Sequence, residues 1–392
     1  MKTNSSVLQK KKGSVNRKRY FFLSIALLLV VSMMLIGCSS STPASTPATT
    51  TPEPGSDNTV ETPAAPDYPS IIGIGTHGTG GTYYACGSGI AKVVSDHAPF
   101  QVTVMPTGGP NAYMPLLQSG ELALGLMGGN DMSWAYYGIS TGGYEEPATN
   151  LRALVTGHRV PTIPLVVRMD SGIKTVADLK GKRVGYGYGG NVEGHELITA
   201  CLEAVGLTWD DVSPVPQPDG QTSFIALQEG RIDATFGVTP VGAQSLEIDS
   251  QIPLYALNFG DVAPEDVPNA PQEKVDILVK HLPASRLAAW EKQGILKEDL
   301  TTIMIYNVWI GASTYLSADA AYEICRVLWE YTDELHPQHV LLEEWEQGKL
   351  FDPNPYVPYH EGAVRFWKDM GVWTDEAEAN QQALLAIYNA DK

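Results

Sequence analysis

Ile71-Ile-Gly-Ile-Gly-Thr-His-Gly-Thr-Gly-Gly-Thr-Tyr-Tyr84 is an apolar run that breaks into glycine and then into a helical pattern. Ile71, Ile72 and Ile74 read as a short buried strand, whereas Ala85, Ile90, Ala91, Val93 and Val94 fall at helical spacing. The glycines therefore sit where a strand hands over to a helix. The first turn of a helix offers unpaired backbone N–H groups and the positive end of its dipole, and Gly78, Gly80 and Gly81 would let a ligand approach them closely. Gly73, Gly75 and Gly78 also spell G-x-G-x-x-G, but a dinucleotide site needs an acidic residue about 20 positions on, at the end of the second strand. Here that strand, Gln101 to Met105, ends in Pro106-Thr107-Gly108-Gly109, so the dinucleotide reading fails. The loop with Thr76, Thr79 and Thr82 suits a small polar anion, or is a structural tight turn.

Working outward, the plan recurs. Leu116-Leu-Gln-Ser-Gly-Glu-Leu-Ala-Leu-Gly-Leu126 and Ala226-Leu-Gln-Glu-Gly-Arg-Ile-Asp-Ala-Thr-Phe236 each read as a helix end, a glycine C-cap and a buried strand. Upstream of each lies a strand, a glycine-rich loop and a helix: 71 to 95 in the first case, Arg183 to Val205 in the second. The roughly 320 residues from Ile71 onward are too many for one ordinary core. Two α/β lobes facing each other are expected, with Leu165–Arg168 and Val308–Tyr315 as the hinge strands. Lobe 1 is then 70–168 plus 312–392, and lobe 2 is 169–311.

Residues 1–37 read as a targeting segment: a basic stretch including Lys10, Lys11, Lys12, Arg17, Lys18 and Arg19, then an apolar run from Tyr20 to Ile36. Its end, Leu35-Ile-Gly-Cys38, resembles a bacterial lipobox, which would make Cys38 the lipidated first residue; an uncleaved membrane anchor is the alternative. Residues 38–69 then form a tether of Ser, Thr and Pro with too little apolar bulk to fold. Removing the leader's seven Lys/Arg and no Asp/Glu leaves 19 basic against 44 acidic residues, a net charge of −25, which argues against nucleic acid as a partner. Of four cysteines, Cys86, Cys201 and Cys325 lie in apolar helical patterns and read as core residues, with neither disulfide nor zinc spacing.

Several stretches resemble the TAXI-type solute receptors of tripartite ATP-independent periplasmic (TRAP) transporters: Gly75 to Tyr84, Thr107-Gly-Gly-Pro-Asn111 with Leu117-Gln-Ser-Gly120, Asp178-Leu-Lys-Gly-Lys-Arg-Val184, Leu227 to Ala234, and Pro358-Tyr-His-Glu-Gly-Ala-Val-Arg-Phe-Trp367. The resemblance covers nearly all of Ile71 to Gly371. It implies an α/β type II periplasmic-binding-protein fold and capture of a small organic anion, a dicarboxylate or acidic amino acid. Delivery would be to a TRAP permease by a monomeric receptor held at the outer face of the membrane through its lipid, without a cofactor. The sequence departs from the family pattern at Gly109-Pro110, at Gly189 to Glu193 and at Gly129-Asn130, all in loops expected near ligand.

Position gives the candidate ligand-binding residues. Thr79, Gly81, Thr82 and Tyr83 open the first helix and offer backbone and hydroxyl donors to a carboxylate, with Tyr83 a core residue in the alternative. Thr107, Gly108 and Asn111 follow the second strand onto the same rim. Asn130 and Asp131 end the next strand; Asp131 holds a ligand ammonium or else caps its own helix. In the second lobe Tyr188, Gly190 and Asn191 open one helix, Thr222 begins another, and Thr239 follows a strand into the cleft. Arg159, near the hinge, offers a guanidinium for a carboxylate or serves a structural ion pair. His360 is expected to brace the C-terminal helix. His77, His158 and His195 are scattered, and no H-E-x-x-H, G-x-S-x-G or Walker lysine accompanies them, so a binding protein is expected rather than an enzyme. A surface sensor or adhesin, or an enzyme on the same two-lobed fold, are the alternatives.

Overall fold

β1 (Ile71–Thr76) starts the structure by burying Ile72 and Ile74 completely, while Gly73 and Gly75 let neighbouring side chains lie directly on its backbone. A Cβ at Gly73 would come within 2.9 Å of Leu122, and one at Gly75 within 2.8 Å of the Tyr113 ring. The first two glycines of the G-x-G-x-x-G string are thus packing surfaces. The computed structural model describes residues 66–156, 159–237, 239–306 and 308–389. The expected leader, Cys38 and residues 39–65 of the tether lie outside the described residues, as does His158.

In chain order β1 is followed by α1 (Thr82–His97), β2 (Gln101–Pro106), α2 (Pro110–Ser119), β3 (Leu124–Met127), α3 (Gly129–Tyr137), β4 (Leu151–Val155), β5 (Arg159–Thr162) and β6 (Leu165–Arg168). Then come β7 (Arg183–Gly187), α4 (Val192–Glu203), β8 (Ser213–Gln217), α5 (Gly220–Gln228), β9 (Ala234–Thr235), α6 (Ala243–Gln251), β10 (Leu254–Leu257), α7 (Gln272–His281), β11 (Ser285–Trp290), β12 (Leu300–Tyr306) and β13 (Trp309–Ser313). The C-terminal part adds α8 (Ala318–Glu330), α9 (Thr332–Leu335), α10 (Glu361–Asp369) and α11 (Asp375–Asn389).

Two five-stranded sheets carry the lobes, with orders β2-β1-β3-β13-β4 and β8-β7-β9-β6-β10. In each, the first strand pairs parallel with the second and third, and a strand from elsewhere in the chain runs antiparallel between the third and the last. The protein is a two-lobed α/β fold of the type II periplasmic-binding-protein kind. The echoed segments take matching forms: Gly120 ends α2 with φ of 82°, and Gly230 follows α5 with φ of 68°. Both are left-handed positions that favour glycine. Cys86, Cys201 and Cys325 are buried free thiols. His360 caps α10, its Nδ1 accepting from the Gly362 N–H at 3.2 Å.

The hinge differs from the sequence expectation. Leu165–Arg168 is β6, inside the second sheet, and Trp309–Ser313 is β13, inside the first. The chain changes lobe one strand earlier each way, through β5 and β12, which pair antiparallel with Ile303 opposite Thr162 and join β11 in a three-stranded sheet. The first sheet accordingly draws on 71–155 and 309–313 and the second on 165–257, rather than dividing at 168 and 312. An apolar run shows that a strand is buried, and both runs are; it does not show in which sheet.

Candidate functional site

The helices that begin where the two sheets face each other define the site. α1 starts after the turn Gly78–Gly81, closed by the Gly81 N–H donating to Gly78 O at 2.8 Å. No side chain caps it and no acidic residue lies in its first turn. Opposite, α4 starts at Asn191 with Glu193 in its first turn, and α5 starts at Asp219, whose Oδ1 accepts from the Thr222 N–H at 2.7 Å. Between them is a cavity of about 100 Å3. At about 15 Å3 for each water-sized sphere, that is room for roughly seven waters, the bulk of a small solute.

From the first lobe, His77, Gly78, Gly81, Thr82, Tyr83 and Gly108 line this cavity; from the second, Asn191, Glu193, Asp219, Gln221, Thr239 and Gln244 do, with Phe236 and Gly237 at its wall. Thr162 and Ile305 of the connecting strands close the base, and Leu341 reaches in from the C-terminal part. Three lining side chains hold buried polar atoms without a protein partner, His77 Nε2, Asn191 Oδ1 and Thr239 Oγ1, while the Tyr83 hydroxyl oxygen accepts from the Val308 N–H. Each such atom costs about 1–3 kcal/mol unless something pairs with it.

Charge is distributed unevenly. Burial lowers the His77 pKa to about 4, against the opposing field of Asp219, so this imidazole is neutral at ordinary pH. Burial pushes Glu193 above the ordinary carboxylate range despite the bond from Asn130 Nδ2 to its Oε1 at 2.8 Å. Glu193 keeps some surface and lines the cavity. Among the described lining residues none is Lys or Arg.

Of the sequence candidates, Gly81, Thr82, Tyr83, Gly108, Asn191 and Thr239 come together at the cavity. Thr79 is exposed in a neighbouring groove between the lobes. The rest lie around rather than on it. Thr107 Oγ1 donates to Thr76 O at 2.8 Å and shapes the turn. Asn111 bridges the lobes, its Oδ1 accepting from the Val192 N–H at 3.1 Å while its Nδ2 donates to Gly142 O at 2.8 Å. Asn130 does likewise, adding to its Glu193 bond an Oδ1 that accepts from the Ala284 N–H at 2.9 Å. Asp131 takes the capping alternative, accepting from the Gly128 N–H at 3.2 Å. Burial, with the Glu193 charge, pushes its pKa well up.

Tyr188 is buried with its hydroxyl 2.8 Å from Thr235 Oγ1, Gly190 touches Gly108 across the seam, and Thr222 supplies its backbone to the Asp219 cap. Arg159 sits on β5 opposite Tyr306, away from the cavity lining. Sequence reasoning missed Glu193, Asp219, Gln221, Gln244 and the neutral His77. The only signal for the first two was an acid in the first turn or cap position of a cleft-facing helix, which is equally an ordinary way to complement a helix dipole.

Fold and site together define a two-lobed α/β architecture with a cavity between its lobes. The chain belongs to the NMT1-like family, whose model matches residues 74–371. That match overturns the expected TAXI-type identity, and the TRAP permease as partner goes with it: the quoted motifs describe a strand, glycine turn and helix, and such a turn does not specify a permease. Among solved structures the chain is similar to the alkanesulfonate-binding protein SsuA from Xanthomonas axonopodis pv. citri bound to MOPS, at 16% identity over 81% of this chain and 84% of that one, with a TM-score of 0.42. It is also similar to PhnD1 from Prochlorococcus marinus in complex with methylphosphonate, at 11% identity over 78% and 100%, TM-score 0.47. A third is a binding protein component of an ABC phosphonate transporter from Pseudomonas aeruginosa, at 11% identity over 82% and 97%, TM-score 0.45. The ligands named are those of the respective proteins. Among the described residues no helix is long and apolar enough to cross a membrane.

Proposed function

We propose that the protein is an extracytoplasmic solute-binding protein that captures a small polar solute in the interlobe cavity and hands it to a membrane transporter. The observation that carries this reading is the cavity itself: both lobes wall it, and three buried polar atoms on its lining have no protein partner. A solute that bridges the lobes stabilises the closed arrangement by the contacts it makes in that arrangement alone. The lipidated Cys38 and the flexible tether read from the sequence would hold the receptor outside the membrane within reach of its permease.

Isothermal titration calorimetry and small-angle scattering on the purified full-length chain in mild detergent test the reading against small amines, amino acids, monocarboxylates, dicarboxylates and sugar acids. Saturable binding at micromolar or tighter affinity, about −8 kcal/mol, with compaction on binding is the expected result. Absence of binding by every class overturns it.

A further inference from the structure

Two sets of groups with spare hydrogen-bonding capacity face each other across the cavity, and the second-lobe set alone carries carboxylates, beside the amides of Gln221 and Gln244 and the Thr239 hydroxyl. On the first-lobe side stand donors. α1 opens with free N–H groups, an uncapped start at Gly81 and no acid in its first turn, and the Tyr83 hydroxyl beside it, whose oxygen accepts from the Val308 N–H, keeps its proton to donate. On the second-lobe side stand acceptors: the Glu193 and Asp219 carboxylates and the unpartnered side-chain oxygen of Asn191, which is 7% exposed. No Lys or Arg among the described lining residues neutralises these carboxylates. A dicarboxylate would set its second charge against Glu193 and Asp219, with only helix dipoles and a neutral imidazole in its favour. Like charges brought together in a low-dielectric cavity repel by several kcal/mol.

We infer that the solute carries an ammonium group, held on the second-lobe side by Glu193, Asp219 and the Asn191 oxygen, and at most one carboxylate, which meets the start of α1 and the Tyr83 hydroxyl. Its net charge is zero or positive. Size limits it further, since about 100 Å3 holds on the order of ten heavy atoms or fewer. A smaller pocket of about 30 Å3 adjoins beyond Glu193, lined by Thr162, Leu197, Phe236, Leu282 and Ile305, and takes a short apolar end. An ammonium beside Glu193 also offsets the burial that otherwise pushes this carboxyl toward its neutral form. This class differs from the dicarboxylate or acidic amino acid expected from the sequence resemblance. The inference rests on the binding reading proposed above and adds the charge class of the ligand.

The test is calorimetry with matched solutes on the full-length chain: glycine, β-alanine, γ-aminobutyrate and putrescine; the des-amino acids acetate, propionate and butyrate; and the dicarboxylates succinate and malate. At least one amine is expected to bind, and its des-amino partner to bind 100-fold or more weakly. In Glu193→Gln the amine is expected to lose 100-fold in affinity. The melting temperature of the ligand-free variant should stay at or above that of the parent, because the exchange removes a buried charge and keeps the shape. A des-amino acid or dicarboxylate that binds as tightly as any amine overturns the charge class while leaving the receptor reading intact, as does an amine affinity untouched by Glu193→Gln in a folded variant. If none of the solutes of any class binds, the receptor reading fails and this inference with it.

Discussion

The first lobe lays out its sheet as β2-β1-β3-β13-β4 and the second as β8-β7-β9-β6-β10, one plan used twice, yet α1 and α2 of the first differ in charge at their starts from α4 and α5 of the second. α1 and α2 begin with glycine at the cap and no acid in the first turn, leaving the positive ends of their dipoles unmatched. α4 has Glu193 in its first turn and α5 has Asp219 as its cap. A repeated scaffold thus gives a cavity with two unlike ends, because the strands fix where the helices start and the first two or three residues of each helix fix the polarity. The comparison can be broken at the seam where the lobes meet, at the side chains that bridge it, and within one lobe by itself.

The largest effect is expected at the seam. A Cβ on Gly190 would lie 2.8 Å from the Gly108 carbonyl carbon, backbone against backbone from opposite lobes. Gly190 does not have a left-handed φ, so alanine is tolerated within its own lobe and excluded only when the lobes are together. Gly190→Ala is expected to weaken ligand affinity by 100-fold or more, roughly 3 kcal/mol, measured by calorimetry. The melting temperature of the ligand-free protein should change little. Unchanged affinity would mean that the closed seam is not the binding arrangement.

Next come the two bridging asparagines. Asn130→Ala removes bonds to Glu193, to Ser285 Oγ and from the Ala284 N–H, and is expected to cost the ligand-bound protein about 2–3 kcal/mol of unfolding free energy in a denaturant titration. Asn111→Ala removes the bond to the Val192 N–H at the start of α4 and the one to Gly142 O, at about 1–2 kcal/mol. If neither change moved stability or affinity, the bridges would be incidental to closure.

These residues also show what the sequence could and could not convey. The two strand, loop and helix units were legible because Gly120 and Gly230 mark helix ends and the apolar runs after them mark strands, all of which are local chemistry. Asn111 and Asn130 were picked out for their position near the rim, but their partners lie across the lobes, 81 and 63 residues away, and no local pattern encodes such a pairing. The same limit misplaced the hinge, since Leu165–Arg168 is as apolar in one sheet as in the other. Gly78 and Gly80 were read as making room for a ligand, and the side chain they admit is Gln221 of the opposite lobe, whose Oε1 would lie 2.6 Å from a Cβ at Gly78.

The smallest expected effect lies inside the second lobe, away from the cavity. His281, at the end of α7, places Nδ1 2.7 Å from Glu196 and Nε2 2.8 Å from Glu203, both on α4, with Lys280 also on Glu203 and His195 nearby on α4. Burial opposes the charge on this imidazole, but the two carboxylates outweigh it and hold its pKa above the ordinary value. A raised folded-state pKa means that the imidazolium stabilises the fold fully below about pH 6.5, the unfolded value, and that this stabilisation is lost as pH rises through the higher folded value. Glu203 is 38% exposed, so solvent screens part of its contribution and the whole is about 1 kcal/mol, or roughly 2–4 °C. The melting temperature should therefore fall by that amount as pH rises from 6 into the alkaline range, and His281→Gln should flatten the fall without changing ligand affinity at pH 6. A melting temperature that rises over the same window in the parent and not in the variant would show that the carboxylates leave this histidine neutral. In that case the α4–α7 contact would rest on packing, on the Lys280–Glu203 ion pair and on a hydrogen bond from a neutral imidazole.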